Sequence, residues 1–185
     1  MNVRALLALT LICGLLPLAQ AETEGFAYQC EGATCFWRRP IVNPPPGWIK
    51  DEESGHAFRF NAFIRKGEIF TKSDAVMYAL AIYKKNASPT LAEQMNVNRE
   101  THLKEHRDAK VANGAPMQNA DGKRLATIIY TPGTPEDDWQ TVAYDEEGDY
   151  YLLFALTARN KQAHDRTLPA LAALVRGYSK DPKKR

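Results

Sequence analysis

The clearest pattern in the chain lies at residues 139–157, where two apolar segments flank an acidic turn at 145–149. Nearly every position of the second segment is apolar, so apolar side chains would point to both faces of a strand. A strand of this kind needs a cover on each face. The pattern therefore predicts a hairpin inside a sheet, with a further layer of structure on either side.

Apolar residues at alternate positions predict three more strands, at 57–64, 75–84 and 125–131. In the first of these, Phe58 and Phe60 alternate with Arg59 and Asn61, which is typical of a strand with one solvated face. A segment of helical periodicity separates the second of these strands from the third, and another follows the hairpin. This order of elements predicts an α+β domain.

Two helices are predicted. The first runs over about 89–107 and begins at a cap provided by Ser88 or Thr90, with Glu93 in its first turn. The second follows the hairpin, with Asp165 or Thr167 as its cap, and its apolar stripe extends to residue 178. These helices are the expected covers of the central strand.

The N-terminus has the order of a secretory signal peptide: a basic start, an apolar run over 5–16, and a small-residue ending at Ala19-Gln20-Ala21. The run is too short to span a membrane. We predict a signal peptide at 1–21, an N-terminal extension at 22–48, a single domain at 49–179 and a basic tail at 180–185. The extension contains two cysteines and a proline-rich lead. The expected location is the periplasm or the exterior of the cell.

The charge balance argues against two classes of partner. The chain has 24 Lys and Arg residues against 22 Asp and Glu, and the predicted signal peptide removes only Arg4 from these. The mature chain is then nearly neutral and has no general field for nucleic acid or an anionic membrane surface. We expect no nucleic-acid partner and no stable membrane insertion.

Two cysteines, Cys30 and Cys35, remain after removal of the signal peptide. In an oxidising compartment they can form a local disulfide across the four residues between them. A metal site would need two further soft ligands nearby, and a redox pair normally has two intervening residues. The spacing favours a structural disulfide.

One motif has a catalytic pattern. His102, Glu105 and His106 match H-x-x-E-H, in which two histidines one helical turn apart hold zinc and the glutamate activates water. The surrounding residues are those of a solvated helix end, and the possible third ligands at 136–138 lie in a predicted loop. We favour a structural role in which His102 covers the sheet, and a zinc hydrolase remains the alternative.

The acidic turn and a nearby tryptophan form a candidate binding rim. Its members are Trp139, Asp145, Glu146, Glu147 and Asp149. Exposed aromatic and acidic side chains at a hairpin can contact a partner, although solvated turns and core packing are the commoner roles of such residues. The rim is where we expect a binding surface.

The order of elements resembles the PsbP-like domains over roughly residues 37–179. The resemblance rests on Pro46-Gly47-Trp48, on Thr90-Leu91-Ala92-Glu93 at a helix start, on Tyr150-Tyr151-Leu152-Leu153-Phe154 and on the closing helix at 168–178. That superfamily includes an extrinsic subunit of photosystem II, a Ran-GTPase release factor and many small exported bacterial proteins. The resemblance implies a central antiparallel sheet between helices. It carries no functional residue to this chain, and the extension with two cysteines departs from it.

The predicted fold class is therefore α+β, a central antiparallel sheet of about six strands with helices packed on both faces. Members of the resembled superfamily are mostly accessory or binding proteins. We expect an exported, non-catalytic protein that binds a protein partner, with an accessory or inhibitor-like role and no cofactor. Two alternatives stay open: the zinc hydrolase, and a carrier of a small ligand or lipid, which would need a cavity between sheet and helix.

Overall fold

The structure is a computed structural model, and it describes residues 28–31, 34–37 and 39–181. The strands are β1 Tyr28–Glu31, β2 Thr34–Trp37, β3 Trp48–Asp51, β4 Asn61–Arg65, β5 Ala75–Tyr83, β6 Lys110–Asn113, β7 Met117–Gln118, β8 Arg124–Thr131, β9 Trp139–Glu147 and β10 Tyr150–Ala158. The helices are α1 Glu52–Phe58, α2 Leu91–Glu105 and α3 Lys161–Arg176. The predicted signal peptide at 1–21 and the tail residues 182–185 lie outside the described residues.

An eight-stranded antiparallel sheet forms the centre of the domain. Its order is β3-β4-β5-β10-β9-β8-β6, and β7 pairs with the start of β8, while β1 and β2 form a separate two-stranded hairpin. The predicted antiparallel α+β class is confirmed, but the sheet has eight strands rather than about six. The strands that the sequence pattern did not indicate, β3, β6 and β7, have only two to four residues each, too few for a visible alternation.

β10 lies between β5 and β9 and is covered on both faces, as its two-sided apolar pattern predicts. On one face Leu152, Phe154 and Leu156 pack with α3. On the other face Tyr151, Leu153 and Ala155 belong to a second apolar cluster, against which Leu91 and Met95 of α2 pack. The helices therefore occupy opposite faces of the sheet. We call these the α3 face and the α2 face.

α3 begins earlier than its sequence predicts. Asn160, rather than Asp165 or Thr167, is the N-cap, and its side chain accepts a hydrogen bond from the Ala163 backbone N–H at 2.8 Å. Pro169 consequently lies inside the helix rather than in its first turn. The helix is held by buried apolar side chains: Leu171, Leu174 and Val175 are completely buried against the sheet.

α2 has the predicted start but a polar underside. The Thr90 side chain accepts from the Glu93 backbone N–H, and the Glu93 carboxylate accepts from the Thr90 backbone N–H, which is a complete capping box. The buried residues of this helix are Gln94 and His102, while Val97 and Leu103 are exposed. α2 is therefore held to the sheet with far less apolar contact than α3.

The predicted strand at 57–64 is wrong in its first half. Residues 52–58 form α1. Its N-cap is Asp51, and its C-cap, Arg59, has the left-handed conformation with φ of 61°. The strand β4 begins only at Asn61. Phe58 is the last residue of α1, and Phe60 lies in the bend after it. Their rings nevertheless pack in one aromatic cluster with Phe70, which gives the sequence the alternation of a strand.

The boundary residues of the predicted domain also take part in the fold. Trp48, at the end of the predicted extension, is the first residue of β3 and is buried in the core of the α3 face. Lys180, at the start of the predicted solvated tail, contacts the carbonyl oxygen of Glu146 through its Nζ. Of the helices that the structure describes, none has both the length and the apolar character needed to span a membrane.

Candidate functional site

The H-x-x-E-H motif lies at the C-terminal end of α2. His102 is buried with 4% of its surface exposed, and its ring packs on Tyr130 of β8 with centroids 4.3 Å apart. His106 is the C-cap residue, and its ring centroid lies 4.7 Å from that of His102. Glu105 is exposed. Helical spacing thus brings the two rings together as predicted, with His102 as a cover of the sheet.

The loop at 132–138 packs against this end of α2. The His106 Nδ1 and Asp137 Oδ1 atoms are 2.8 Å apart. Gly133 lies so close to the chain after α2 that a Cβ atom there would stand 2.4 Å from the Asp108 carbonyl carbon. The loop therefore brings one of the predicted third ligands, Asp137, to the histidine pair.

A carboxylate on His106 Nδ1 would leave Nε2 for a metal, as second-shell carboxylates do in zinc sites. Across residues 28–31, 34–37 and 39–181, however, no group of three or more His, Cys, Asp or Glu side chains has an arrangement that could hold a metal ion. His102, His106 and Asp137 do not make up such a group. The predicted zinc site thus has its histidine pair but not a full ligand set.

Burial sets the protonation of this region. Burial, and then the neighbouring His106, lowers the pKa of His102 to about 4, so its ring is neutral at neutral pH. Burial raises the pKa of the Asp138 and Glu105 carboxyl groups. Burial thus disfavours the charged form of each of these side chains.

Two tyrosines of the sheet point their hydroxyl groups into the layer beneath α2. The Tyr130 and Tyr144 hydroxyl oxygens are 3.3 Å apart, and the Asn98 side-chain amide of α2 donates to the Tyr144 hydroxyl at 3.4 Å. Burial raises the pKa of both phenols, so they remain protonated at any ordinary pH. The interface between α2 and the sheet is therefore a polar one.

Three buried side-chain atoms in the described part of the chain have no hydrogen-bond partner: Arg99 Nε, His102 Nδ1 and Gln140 Oε1. They belong to a group of side chains on the α2 face that we call the Tyr130 cluster, namely Arg99, His102, Tyr130, Gln140 and Tyr144. The sequence analysis missed all but His102. The spacing of three between Arg99 and His102 is a signal for one shared helix face, whereas no sequence signal sets Gln140 opposite Tyr130.

The members of the predicted binding rim are divided between the two ends of β9. Trp139 begins the strand, and Asp145, Glu146 and Glu147 end it, so the two groups are roughly 20–26 Å apart at about 3.3 Å per residue. Asp145 differs from the expectation of an exposed turn because it is completely buried. The exposed turn consists of Gly148 and Asp149.

Several segments hold the acidic end of the hairpin. Lys84 Nζ lies 3.0 Å from Glu146 Oε2, and Lys123 Nζ lies 2.5 Å from Asp145 Oδ1. The Tyr178 hydroxyl donates to Glu147 Oε2. We call residues 145–149 the hairpin end.

His164 has partners that the sequence analysis did not find. Its Nε2 lies 2.8 Å from the Thr141 hydroxyl, and its Nδ1 lies 3.2 Å from Asp165 Oδ1. This order of hydroxyl, imidazole and carboxylate is also that of hydrolytic triads. Thr141 is only 1% exposed, beneath α3, so its hydroxyl is not open to a substrate. The group connects α3 to β9, and nothing in the sequence indicates a contact across these 23 positions.

No protein-family model matches this chain, and no curated protein sequence matches it either. Among solved structures, the fold is similar to the solution structure of cyanobacterial PsbP (CyanoP) from Synechocystis sp. PCC 6803. The sequence identity is 9%, the TM-score is 0.43, and the match covers 82% of this chain and 96% of that chain. A likeness of this size does not show membership of that family, so the predicted membership stays a prediction.

Proposed function

We propose that this chain is an exported, non-catalytic protein that binds a protein partner through the hairpin end. Export rests on the signal-peptide pattern at 1–21. The binding role rests on the way in which the hairpin end is held. A preorganised surface loses little conformational entropy on association, and for that reason rigid loops are efficient binding sites.

The observation that carries the proposal is the number of separate segments that fix this short acidic turn. The Lys84 backbone N–H donates to the Asp149 carbonyl oxygen at 2.8 Å, in addition to the ion pair between Lys84 and Glu146. Lys123 from the loop before β8, and Tyr178 and Lys180 after α3, approach from the other side. Gly148 and Asp149 are thereby presented to solvent on a rigid base.

Catalysis is the weaker alternative because the side chains that could perform it are engaged in contacts between elements of the fold. The Thr141 hydroxyl is buried beneath α3 and is engaged with His164. His106 is engaged with Asp137, and the neighbouring His102 ring is buried against Tyr130. The candidate nucleophile and bases therefore contribute to packing between elements, which is their ordinary role when they are buried.

The proposal is tested by site-specific photocrosslinking in the exporting cell. A photoreactive residue at Asp149 should give a discrete crosslinked species. The substitution Glu146→Lys should weaken that crosslink, because repulsion between two lysines would replace the ion pair with Lys84 that holds the turn. The matched control position is Glu136, which is exposed in the loop at the opposite end of β9. Absence of a product at Asp149, or the same products at both positions, would refute a partner at the hairpin end.

The cysteine pair provides a separate test of export. Cys30 of β1 lies directly opposite Cys35 of β2 in the register of the hairpin. Directly opposed residues have Cα atoms about 4.5–5.5 Å apart, within the range that a disulfide bridges. We propose that the two form a disulfide in the exported protein. Non-reducing peptide mapping should find the peptide containing both residues lighter by two hydrogen atoms, and free thiols in the exported protein would contradict this.

A further inference from the structure

Two tyrosines and a glutamate form a row across the sheet beside the hairpin turn. Tyr150, the first residue of β10, lies directly opposite Tyr83 of β5 and directly opposite Glu147 of β9. Directly opposed residues of neighbouring strands point to the same face, with Cβ atoms about 4.5–5.5 Å apart. Tyr150 packs against the apolar cluster of the α3 face, so all three side chains belong to that face. We call Tyr83, Tyr150 and Glu147 the tyrosine row.

The tyrosine row combines two aromatic rings with a positioned carboxylate. Its three residues are half-buried, and the ring centroids of Tyr83 and Tyr150 are 5.5 Å apart with their planes inclined by 37°. The hydroxyl of the completely buried Tyr178 donates to Glu147 Oε2 and so fixes the carboxylate. A carboxylate has about four acceptor sites, so this bond does not exhaust its capacity.

The other face of the same hairpin shows what such a combination binds. Tyr151 and Glu146 are directly opposed on the α2 face. Lys84 Nζ lies 5.2 Å from the centre of the Tyr151 ring and 3.0 Å from Glu146 Oε2. Cation–π attraction and an ion pair thus act on one ammonium group. Tyr150 and Glu147 repeat this pairing of tyrosine and glutamate one position further along each strand, on the α3 face.

The charges beside the row favour a cationic ligand. The two lysines that approach from the α3 face, Lys123 and Lys180, are both directed to the buried carboxylate of Asp145. Glu147 and the exposed Asp149 add negative charge beside the two rings. Among cations, a guanidinium fits best, because it is planar, stacks on aromatic rings and donates two parallel hydrogen bonds to a carboxylate.

We propose that the tyrosine row binds an arginine side chain of the protein partner. The guanidinium lies against the rings of Tyr83 and Tyr150 and donates to the Glu147 carboxylate. This contact rests on the proposed function, in which the hairpin end binds a protein partner, and it gives the chemistry of the partner's side. The segment that docks at the hairpin end is therefore a basic one.

The first test uses the chain from residue 22 onwards and a blocked peptide of sequence Gly-Gly-Arg-Gly-Gly. In an NMR titration, this peptide should give saturable shifts of the amide signals of residues 83, 147 and 150. The same peptide with citrulline in place of arginine has nearly the same shape without the charge, and it should bind much more weakly. Tyr83→Leu and Glu147→Gln should each weaken binding of the arginine peptide by about two- to fivefold, as expected for one cation–π contact or one ion pair near the surface.

Two variants serve as controls. Tyr83→Phe keeps the aromatic ring and should bind the arginine peptide like the wild type. Glu136→Gln removes a carboxylate from the exposed loop at the opposite end of β9 and should also leave binding unchanged. Thermal unfolding verifies that each variant is folded, and Glu147→Gln decides the matter if Tyr83→Leu is not. Equal binding of the arginine and citrulline peptides, or undiminished binding by folded Glu147→Gln, overturns the proposal.

A second test separates the arginine contact from the proposed function. Where a photoreactive residue at Asp149 forms a crosslinked species with another protein, Glu147→Gln and Tyr83→Leu should lower its yield. An undiminished yield overturns the arginine contact and leaves the partner at the hairpin end in place. A crosslink within the chain alone overturns both. If no species forms, the partner is refuted, and the peptide titration alone decides whether the tyrosine row binds arginine.

Discussion

His102 is a residue whose burial couples stability to pH. Its pKa is lowered to about 4 in the folded chain, chiefly by burial, against 6.5 for an ordinary histidine. Between these values the unfolded state binds a proton that the folded state does not, so stability is lost as the pH falls. The buried neutral ring is thus an acid-sensitive point in the layer beneath α2.

From pH 7 to pH 4.5 the lowered pKa should remove about 2 kcal/mol of unfolding free energy, at 1.36 kcal/mol per pKa unit. His102→Gln should be less stable at neutral pH and should show a smaller loss over this range. Urea unfolding at both pH values measures the difference. His56→Gln, at an exposed histidine, is the control and should keep the wild-type loss. An unchanged loss in His102→Gln would contradict the prediction.

Thr141 and His164 form the corresponding contact on the α3 face. Thr141→Val keeps the shape of the side chain but leaves the buried His164 Nε2 without its partner at 2.8 Å. An unsatisfied buried group of this kind costs about 1–3 kcal/mol. Chemical unfolding should detect that loss, while the same substitution at half-buried Thr131 should change stability by less than about 0.5 kcal/mol. Equal effects at the two positions would argue against the hydrogen bond.

At the scale of elements, the loop at 132–138 depends on a close backbone approach. In Gly133→Ala the new Cβ would stand 2.4 Å from the Asp108 carbonyl carbon, which is backbone and cannot rotate away. The loop must move, at a cost of about 1–3 kcal/mol, as in other overpacked sites. Urea unfolding and the loss of the His106–Asp137 contact in NMR spectra would measure this effect.

Thr134→Ala is the control for the loop, because it removes atoms from an exposed neighbour without adding a contact. Wild-type stability in Gly133→Ala would mean that the loop does not pack against the chain after α2. The loop would then fail to bring Asp137 to His106, and the description of that site would need revision.

The sequence predicts those elements whose local signals agree with their environment. The two covers of β10 are predictable because its alternate side chains are apolar on both faces of the sheet. The start of α2 is predictable because Thr90 and Glu93 form a capping box. The sequence does not predict α1, because Phe58 and Phe60 are two positions apart and pack together, as alternate residues of a strand would. The Tyr130 cluster was missed because strand register, not sequence spacing, puts Gln140 beside Tyr130.

At the scale of the whole molecule, the two covers of the sheet differ in how firmly they are held. α3 buries six of its residues, including Leu171, Leu174 and Val175, whereas α2 buries only Gln94 and His102. Regions with few buried apolar contacts open at lower free energy. We expect α2 to open before the rest of the domain.

Native-state hydrogen exchange measures this order directly. Amide groups of α2 should exchange through a local opening well below the global unfolding free energy, while those of α3 should exchange near it. Equal protection of the two helices would show that the polar underside of α2 is as firmly packed as the apolar side of α3.

Among the described residues, the open sheet has two edges without a further strand: β3 on one side, and β6 with the two-residue β7 on the other. Unpaired edge strands invite pairing with other molecules. β3 and β6 have only four residues each, with Lys50 and Asp51 on one and Lys110 on the other. Short, charged edges are a known protection against aggregation. Replacing both lysines with valine should leave the folded core unchanged but promote strand-by-strand assembly, visible as light scattering. The charges of Lys50 and Lys110 would then keep one molecule apart from the next.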